Sequence, residues 1–226
     1  MTKAIVVRQT GGPEVLQYET VDVADPREGE ALVRHSAVGV NFLDIYFRTG
    51  LYPSPNGLPF IPGNEGAGIV EAVGPGVDNV APGDRVAYVG PLGSYAEHRI
   101  IAADRLVHLP ADIADRTAAA MMLKGMTAQY LLCRTFKVSA GHTILFHAAS
   151  GGVGLIACQW AKALGATTIG TVGSSEKAEL ARAHGAHHTI NYRNENFVER
   201  VMEITGGEGV DVVYDSVGQD TYPGSP

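Results

Sequence analysis

Apolar and polar positions follow different rhythms in the two halves of the chain. Over residues 1–110 the apolar runs are short: Ala4–Val7, Ala31–Val38, Gly68–Val73, Arg85–Val89 and Tyr95–Ile101. Turn-forming clusters separate them: GGP at 11–13, PSPNGLP at 53–59, GPGV at 74–77 and APGD at 81–84. Short strands at close spacing with Gly/Pro turns predict an irregular β-barrel. One helical insert interrupts them. In NFLDIYFRTG (41–50), Phe42, Ile45 and Tyr46 fall at i, i+3 and i+4 before a glycine.

From about residue 112 the period lengthens. DIADRTAAAMMLKGMTAQYLLCRTF reads as helix, with a break expected near Gly125. TILFHA (143–148) predicts a buried strand and 152–164 a helix; TTIGTV (167–172) a strand and SEKAELARAHG (175–185) a helix closing on glycine. HHTINY (187–192), NENFVERVMEITGG (194–207) and VDVVYD (210–215) continue as strand, helix and strand. Strands alternating with helices imply a parallel βαβ sheet. The division expected is 1–111 for the barrel and 112–226 for an α/β domain. A doubly wound dinucleotide fold has about six strands. This sequence stops after the fourth, at SVGQDTYPGSP, so the sheet is expected to be incomplete or the chain a fragment.

Composition narrows the function. Hydrophobic residues make up 45%, enough for a real core, and 24 acids against 17 bases leave a net charge of −7. That argues against a nucleic-acid or anionic-membrane partner. The N-terminus lacks the apolar region of a signal peptide, and no apolar run is long enough to span a bilayer. The two cysteines, Cys133 and Cys158, sit in apolar helix-like stretches and read as buried free thiols, with a disulfide or ligand pair as the lesser alternative. A reducing, cytoplasmic setting is the expectation.

The chemistry centres on HAASGGVG (147–154). As G-x-G-x-x-G its first glycine is replaced by Ala149, but the strand–turn–helix context is the one a dinucleotide cradle needs. A small Ala149 can serve the tight turn. Gly151 lets backbone approach a pyrophosphate, Gly154 lets helix pack on strand, and the helix N-terminus points free N–H groups at the anion. The alternative is a glycine-rich turn used only for packing. NAD enzymes place Asp or Glu at the end of the second strand, about 20 residues on. Here that strand ends Val172-Gly173-Ser174-Ser175. Glu176 follows in the first turn of the next helix, where the dipole alone favours an acid. Lys177 is next, and Tyr192-Arg193 closes the third strand. Small donors plus a cation suit a 2′-phosphate and favour NADP(H).

GHTILFHAASGGVGLIACQWAK (141–162) resembles the signature of the quinone oxidoreductase/zeta-crystallin family. GVNFLDIYFRTGLYP (39–53), PGNEGAGIV (62–70), LKGMTAQYLL (123–132) and VVYDSVG (212–218) are similar to that family too. It is the zinc-lacking branch of the medium-chain dehydrogenases/reductases. The resemblance implies a GroES-like β-barrel domain followed by a Rossmann-like parallel α/β sheet, here partial, and NADPH-dependent reduction of a quinone or related electrophile. It also implies a homodimer, whose pairing edge is expected to be missing here. The alternatives are an NADPH-binding protein without turnover and an inactive fragment of such a reductase.

Zinc-dependent relatives carry Cys where this chain has Asn41, and Gly-His-Glu where it reads Gly63-Asn64-Glu65. No zinc is expected, because a catalytic zinc needs three N, S or O ligands and an open position. By resemblance the cofactor pocket uses Asn41, Tyr46, Thr127, Tyr130, Gly152, Val153, Gly173, Ser174, Lys177, Tyr192 and Ser216. The nicotinamide would lie between barrel and sheet. Tyr46 and Tyr130 could equally be half-buried aromatics, Asn41 a helix N-cap and Thr127 a surface residue. Tyr46 and Tyr52 are the candidate proton donors, with water as the alternative. A phenol of pKa near 10 must be tuned for that role.

Overall fold

The structure, a computed structural model, describes residues 1–225. It divides into two compact units, Met1–Leu123 and Lys124–Pro226.

In the first unit, β1 (Thr2–Val7) and β2 (Leu16–Val21) form an antiparallel hairpin. Five further strands form an antiparallel sheet: β3 (Glu30–Val38), β4 (Glu65–Val73), β5 (Arg85–Val89), β6 (His98–Ala102) and β7 (Val107–His108), in the order β6-β3-β4-β5-β7. Single bridges from Ala4 to Ala96 and from Val7 to Phe60 tie the hairpin to flanking loops. The β3–β4 register shifts between Leu32 and Val33 and again between His35 and Ala37, the pattern of β-bulges. Val33, Val70, Val86, Tyr88 and Ile101 fill the interior.

Helix α1 (Phe42–Thr49) begins after an extended Asn41 and ends on Gly50, whose φ of 80° is the left-handed cap. The apolar spacing finds this helix but mistakes its inner face. Phe42 is 76% exposed and Ile45 36%, while the buried residue is Asp44, at 4%. A carboxylate is inside because three donors meet it there.

Helix α2 (Asp115–Tyr130) runs unbroken through Gly125, contrary to the predicted break, and passes into a π-helical turn at Leu131–Thr135. A glycine within a helix weakens it by only about 1 kcal/mol, which packing offsets. Buried Ala118 and Ala119 pack beside Ala67 and Ala87 in the first unit. In the second unit Ala128 and Leu132 join the cluster of Ile144 and Phe146.

The second unit is a four-stranded parallel sheet of β8 (Thr143–Phe146), β9 (Thr167–Val172), β10 (His188–Asn191) and β11 (Val212–Tyr214), ordered β10-β9-β8-β11. Helices α3 (Gly152–Ala163), α4 (Ser175–Ala183) and α5 (Phe197–Ile204) connect them. The strand between which neighbours the connection reverses is β8, and ligands of such sheets bind at that switch point, beyond the carboxyl ends of the strands. The α3 face against the sheet is built of small residues, with Gly154, Ala157, Cys158 and Ala161 buried. Both cysteines are free, and burial pushes the Cys158 thiol up to about 11, so it is packing material rather than a nucleophile. No helix among the described residues is long and apolar enough to cross a membrane.

Candidate active site

The turn after β8 is built from backbone. Ala148 sits at φ 53°, a left-handed conformation that non-glycine residues adopt at a cost. Ala149 is fully buried, and its methyl fills space that Gly170 on β9 leaves open: a Cβ on Gly170 would lie 2.6 Å from that of Ala149. The alanine in the glycine pattern is thus complemented by a glycine on the next strand. A Cβ on Gly154 would lie 2.6 Å and 2.7 Å from the carbonyl oxygens of Ala149 and Ala148, so α3 is pressed onto the turn. Gly151 is the N-cap of α3 and no side chain caps the helix. The first-turn N–H groups, including those of Gly152 and Val153, are left for an anion. The stem of Lys124 lies across Gly152, where a Cβ would meet its Cδ at 2.7 Å. Sequence spacing does not reveal that neighbour, because the two positions are 28 apart in the chain.

At the carboxyl end of β9, Ser174 caps α4 by accepting from the Lys177 N–H at 3.3 Å. The Glu176 carboxyl is held below its ordinary range by a hydrogen bond with Ser174 and one with its own backbone. Tyr192 follows β10 and arches over Gly173: a Cβ there would lie 3.2 Å from the tyrosine hydroxyl. Gly173, Ser174, Lys177 and Tyr192 therefore lie together at the ends of β9 and β10. Thr127 and Tyr130 lie one turn apart on α2, with Tyr130 47% exposed. Ser216 follows β11 in a loop organised by Asp215, which accepts from Val217 N–H (2.8 Å), Gly218 N–H (3.0 Å) and the Thr221 hydroxyl (2.8 Å). Burial opposes ionisation of Asp215, but these donors together hold its carboxyl below the usual range.

In the first unit the predicted Asn41 belongs to a buried polar network. Asp44 accepts from the Asn41 N–H at 2.9 Å, the Asn64 amide at 2.7 Å and the Tyr95 hydroxyl at 2.8 Å. Glu65, with no exposed surface, accepts from the Asn41 amide and from the Leu123 N–H, each at 2.7 Å. Burial, then the Asp44 carboxylate, raises the Tyr95 phenol. Asn41 is thus the α1 N-cap and also a side chain gripped by Glu65. The role of Asp44 and Tyr95 is invisible in the helical period; the only sequence trace is an acid three residues after a capping Asn. The Tyr46 and Tyr52 rings meet at a tilt of 59° with centroids 5.4 Å apart, and Tyr52 lines a hollow of about 380 Å³ with Phe47, Leu58 and Phe60.

The positions that hold zinc ligands in zinc-dependent relatives do not fit a zinc ion here. Asn41 and Asn64 turn amide N–H groups, not lone pairs, toward the neighbouring carboxylates. Among the described residues no cluster of three or more His, Cys, Asp or Glu could hold a metal.

Residues 27–111 match the alcohol dehydrogenase GroES-like domain, and residues 152–225 match the family described as zinc-binding dehydrogenase. An antiparallel barrel-type sheet followed by a parallel sheet with a glycine cradle therefore defines a dehydrogenase/reductase of that two-domain class. Over 98% of its length the chain is 57% identical to a quinone oxidoreductase of Pseudomonas aeruginosa, covering 68% of that protein. It is 50% identical to a 2-haloacrylate reductase of a Burkholderia species, again covering 68% of it. The crystal structure of Escherichia coli quinone oxidoreductase complexed with NADPH superposes with a TM-score of 0.96 at 53% identity, over 99% of this chain and 68% of that one. The chain belongs to the quinone oxidoreductase family.

Proposed function

We propose that this chain is an NADPH-dependent quinone reductase, with residues 1–111 serving the acceptor and 112–226 the cofactor. The observation that carries the reading is the uncapped N-terminus of α3 behind Gly151, with Gly154 pressed against the Ala148 and Ala149 carbonyls. That arrangement fits a pyrophosphate. The bound cofactor would supply the hydride. The protein's share is position. First-turn N–H groups of α3 hold the phosphates, while Ser174, Lys177 and Tyr192 hold the adenosine end. Thr127, Tyr130 and Ser216 complete that side of the pocket, and in the first unit Asn41, held by Asp44 and Glu65, is a fixed polar group. Reducing a quinone also consumes a proton, for which Tyr46 and Tyr52 are the proposed donors. The reducing compartment suited to two free thiols is the cytoplasm.

The test is oxidation of NADPH by 1,4-benzoquinone, with the purified chain, above the background without protein. Turnover supports a reductase. Saturable NADPH binding without turnover converts the reading to a binding protein. The 2-haloacrylate reductase relative makes 2-chloroacrylate the natural second acceptor to try. If a phenol delivers the proton, Tyr46→Phe or Tyr52→Phe lowers kcat about tenfold or more, with NADPH affinity kept in Tyr52→Phe; unchanged kcat in both variants assigns the proton to water.

A further inference from the structure

We propose that Arg193 is a specificity-determining residue that reads the 2′-phosphate of the cofactor, alongside Lys177. The inference rests on the NADP(H) reading above and adds to it a residue that pattern and resemblance leave out of the pocket.

The carboxyl ends of β9 and β10 lie side by side, because Asn191 pairs with Val172 in the parallel ladder. The residues just beyond each strand therefore meet. A Cβ on Gly173 would lie 3.5 Å from Arg193 Nε, on the same side as the Tyr192 hydroxyl. Arg193 Nε thus lies beside the strand end at Gly173, while the residue as a whole stays exposed. Its backbone N–H is fixed by the Asn191 side chain at 3.2 Å, which sets the turn that aims it.

The local acids do not claim it. Glu195 spends one oxygen on the Asn191 N–H at 2.9 Å and the other on Arg200 at 3.2 Å. Glu176 is engaged with Ser174. Two cations, Lys177 and Arg193, consequently flank a glycine and a serine with no ion pair of their own among the described residues. Gly173 matters here because a Cβ would crowd the Tyr192 hydroxyl at 3.2 Å and touch Arg193 Nε at 3.5 Å. A planar guanidinium offers a fork of donors matched to phosphate oxygens, whereas an ammonium acts as a point charge. A diol in place of the phosphate offers that fork no charge, so discrimination follows from the same geometry.

The experiment is titration of the purified chain with adenosine 2′,5′-bisphosphate and, separately, with 5′-AMP, for the parent and for Arg193→Gln. Arg193 is exposed, so an unchanged melting temperature is expected and verifies folding. The expected result is about a tenfold loss of 2′,5′-bisphosphate affinity in Arg193→Gln, partial retention in Arg193→Lys, and no change for 5′-AMP. Unchanged bisphosphate affinity overturns the role of Arg193 and leaves the NADP(H) reading intact. An equal loss for both ligands also overturns it, as a general packing effect. A parent chain that binds both ligands alike overturns the NADP(H) reading itself, and the inference with it.

Discussion

At the scale of single residues, the cradle depends on which atoms are missing. Gly154 and Gly170 are places where a methyl group would collide with backbone or with Ala149. Gly154→Ala is expected to destabilise the chain by about 1–3 kcal/mol through overpacking, and to weaken NADPH binding. Gly151→Ala meets only the Ala148 oxygen at 3.1 Å and is expected to cost less stability; denaturant melts of the two variants give the order. Ala149→Gly restores the letters of the glycine pattern, yet it removes a fully buried methyl. A loss of about 1 kcal/mol is expected, with no gain in cofactor affinity by titration. A single sequence shows Ala149 as a departure, because its complement, Gly170, lies on another strand.

At the scale of elements, α1 shows what periodicity can and cannot say. The spacing of Phe42, Ile45 and Tyr46 locates the helix, and Gly50 ends it where expected. Burial goes the other way because Asp44 satisfies three donors from three separate segments. Such partners are far apart in sequence, so the network is legible only in three dimensions. Asp44→Ala strands the Tyr95 hydroxyl and the Asn64 amide, and a loss of about 2–4 kcal/mol is expected in chemical denaturation. Tyr95→Phe removes one bond of the three and is expected to cost about 1–2 kcal/mol. The helices of the second unit were easier to read: α3 and α4 start where the glycine turn and Ser174 place them, and every strand of the parallel sheet lies within its predicted run. The hairpin strand β2 and the two-residue β7 carry too little apolar pattern to be found that way.

At the scale of the whole molecule, a pH response follows from the barrel interior. His35 donates its Nδ1–H to the Ala96 carbonyl at 2.5 Å, and its Nε2 lies 2.6 Å from the Tyr88 hydroxyl, which lies 2.9 Å from Ser94 Oγ. A carbonyl accepts only, so Nδ1 carries the proton. Burial, against the help of that carbonyl and with Arg99 adding repulsion, lowers the His35 pKa to about 4. The unfolded chain takes up a proton at this residue below about pH 6.5, and the folded one does not. Stability therefore falls as pH drops from about 6.5 toward 4 and levels off below, by up to about 3 kcal/mol from this group. Guanidinium melts at pH 7 and pH 4.5 measure the fall, and His35→Asn is expected to flatten it. The two-part architecture and the cofactor cradle were legible in the chain's rhythm and glycines. The buried acids were not, since nothing local distinguishes a carboxylate that faces inward.

Ala148 shapes the cradle through its backbone. Its left-handed backbone, at φ 53°, holds about 1–2 kcal/mol that a glycine would release. Glycine would also be free to wander among many conformations in the unbound turn. The alanine narrows that choice before any ligand arrives, so the cradle trades some ground-state comfort for a fixed aim. Protein engineers who relax this position for thermostability would be expected to gain a sturdier fold and a slacker grip on dinucleotides.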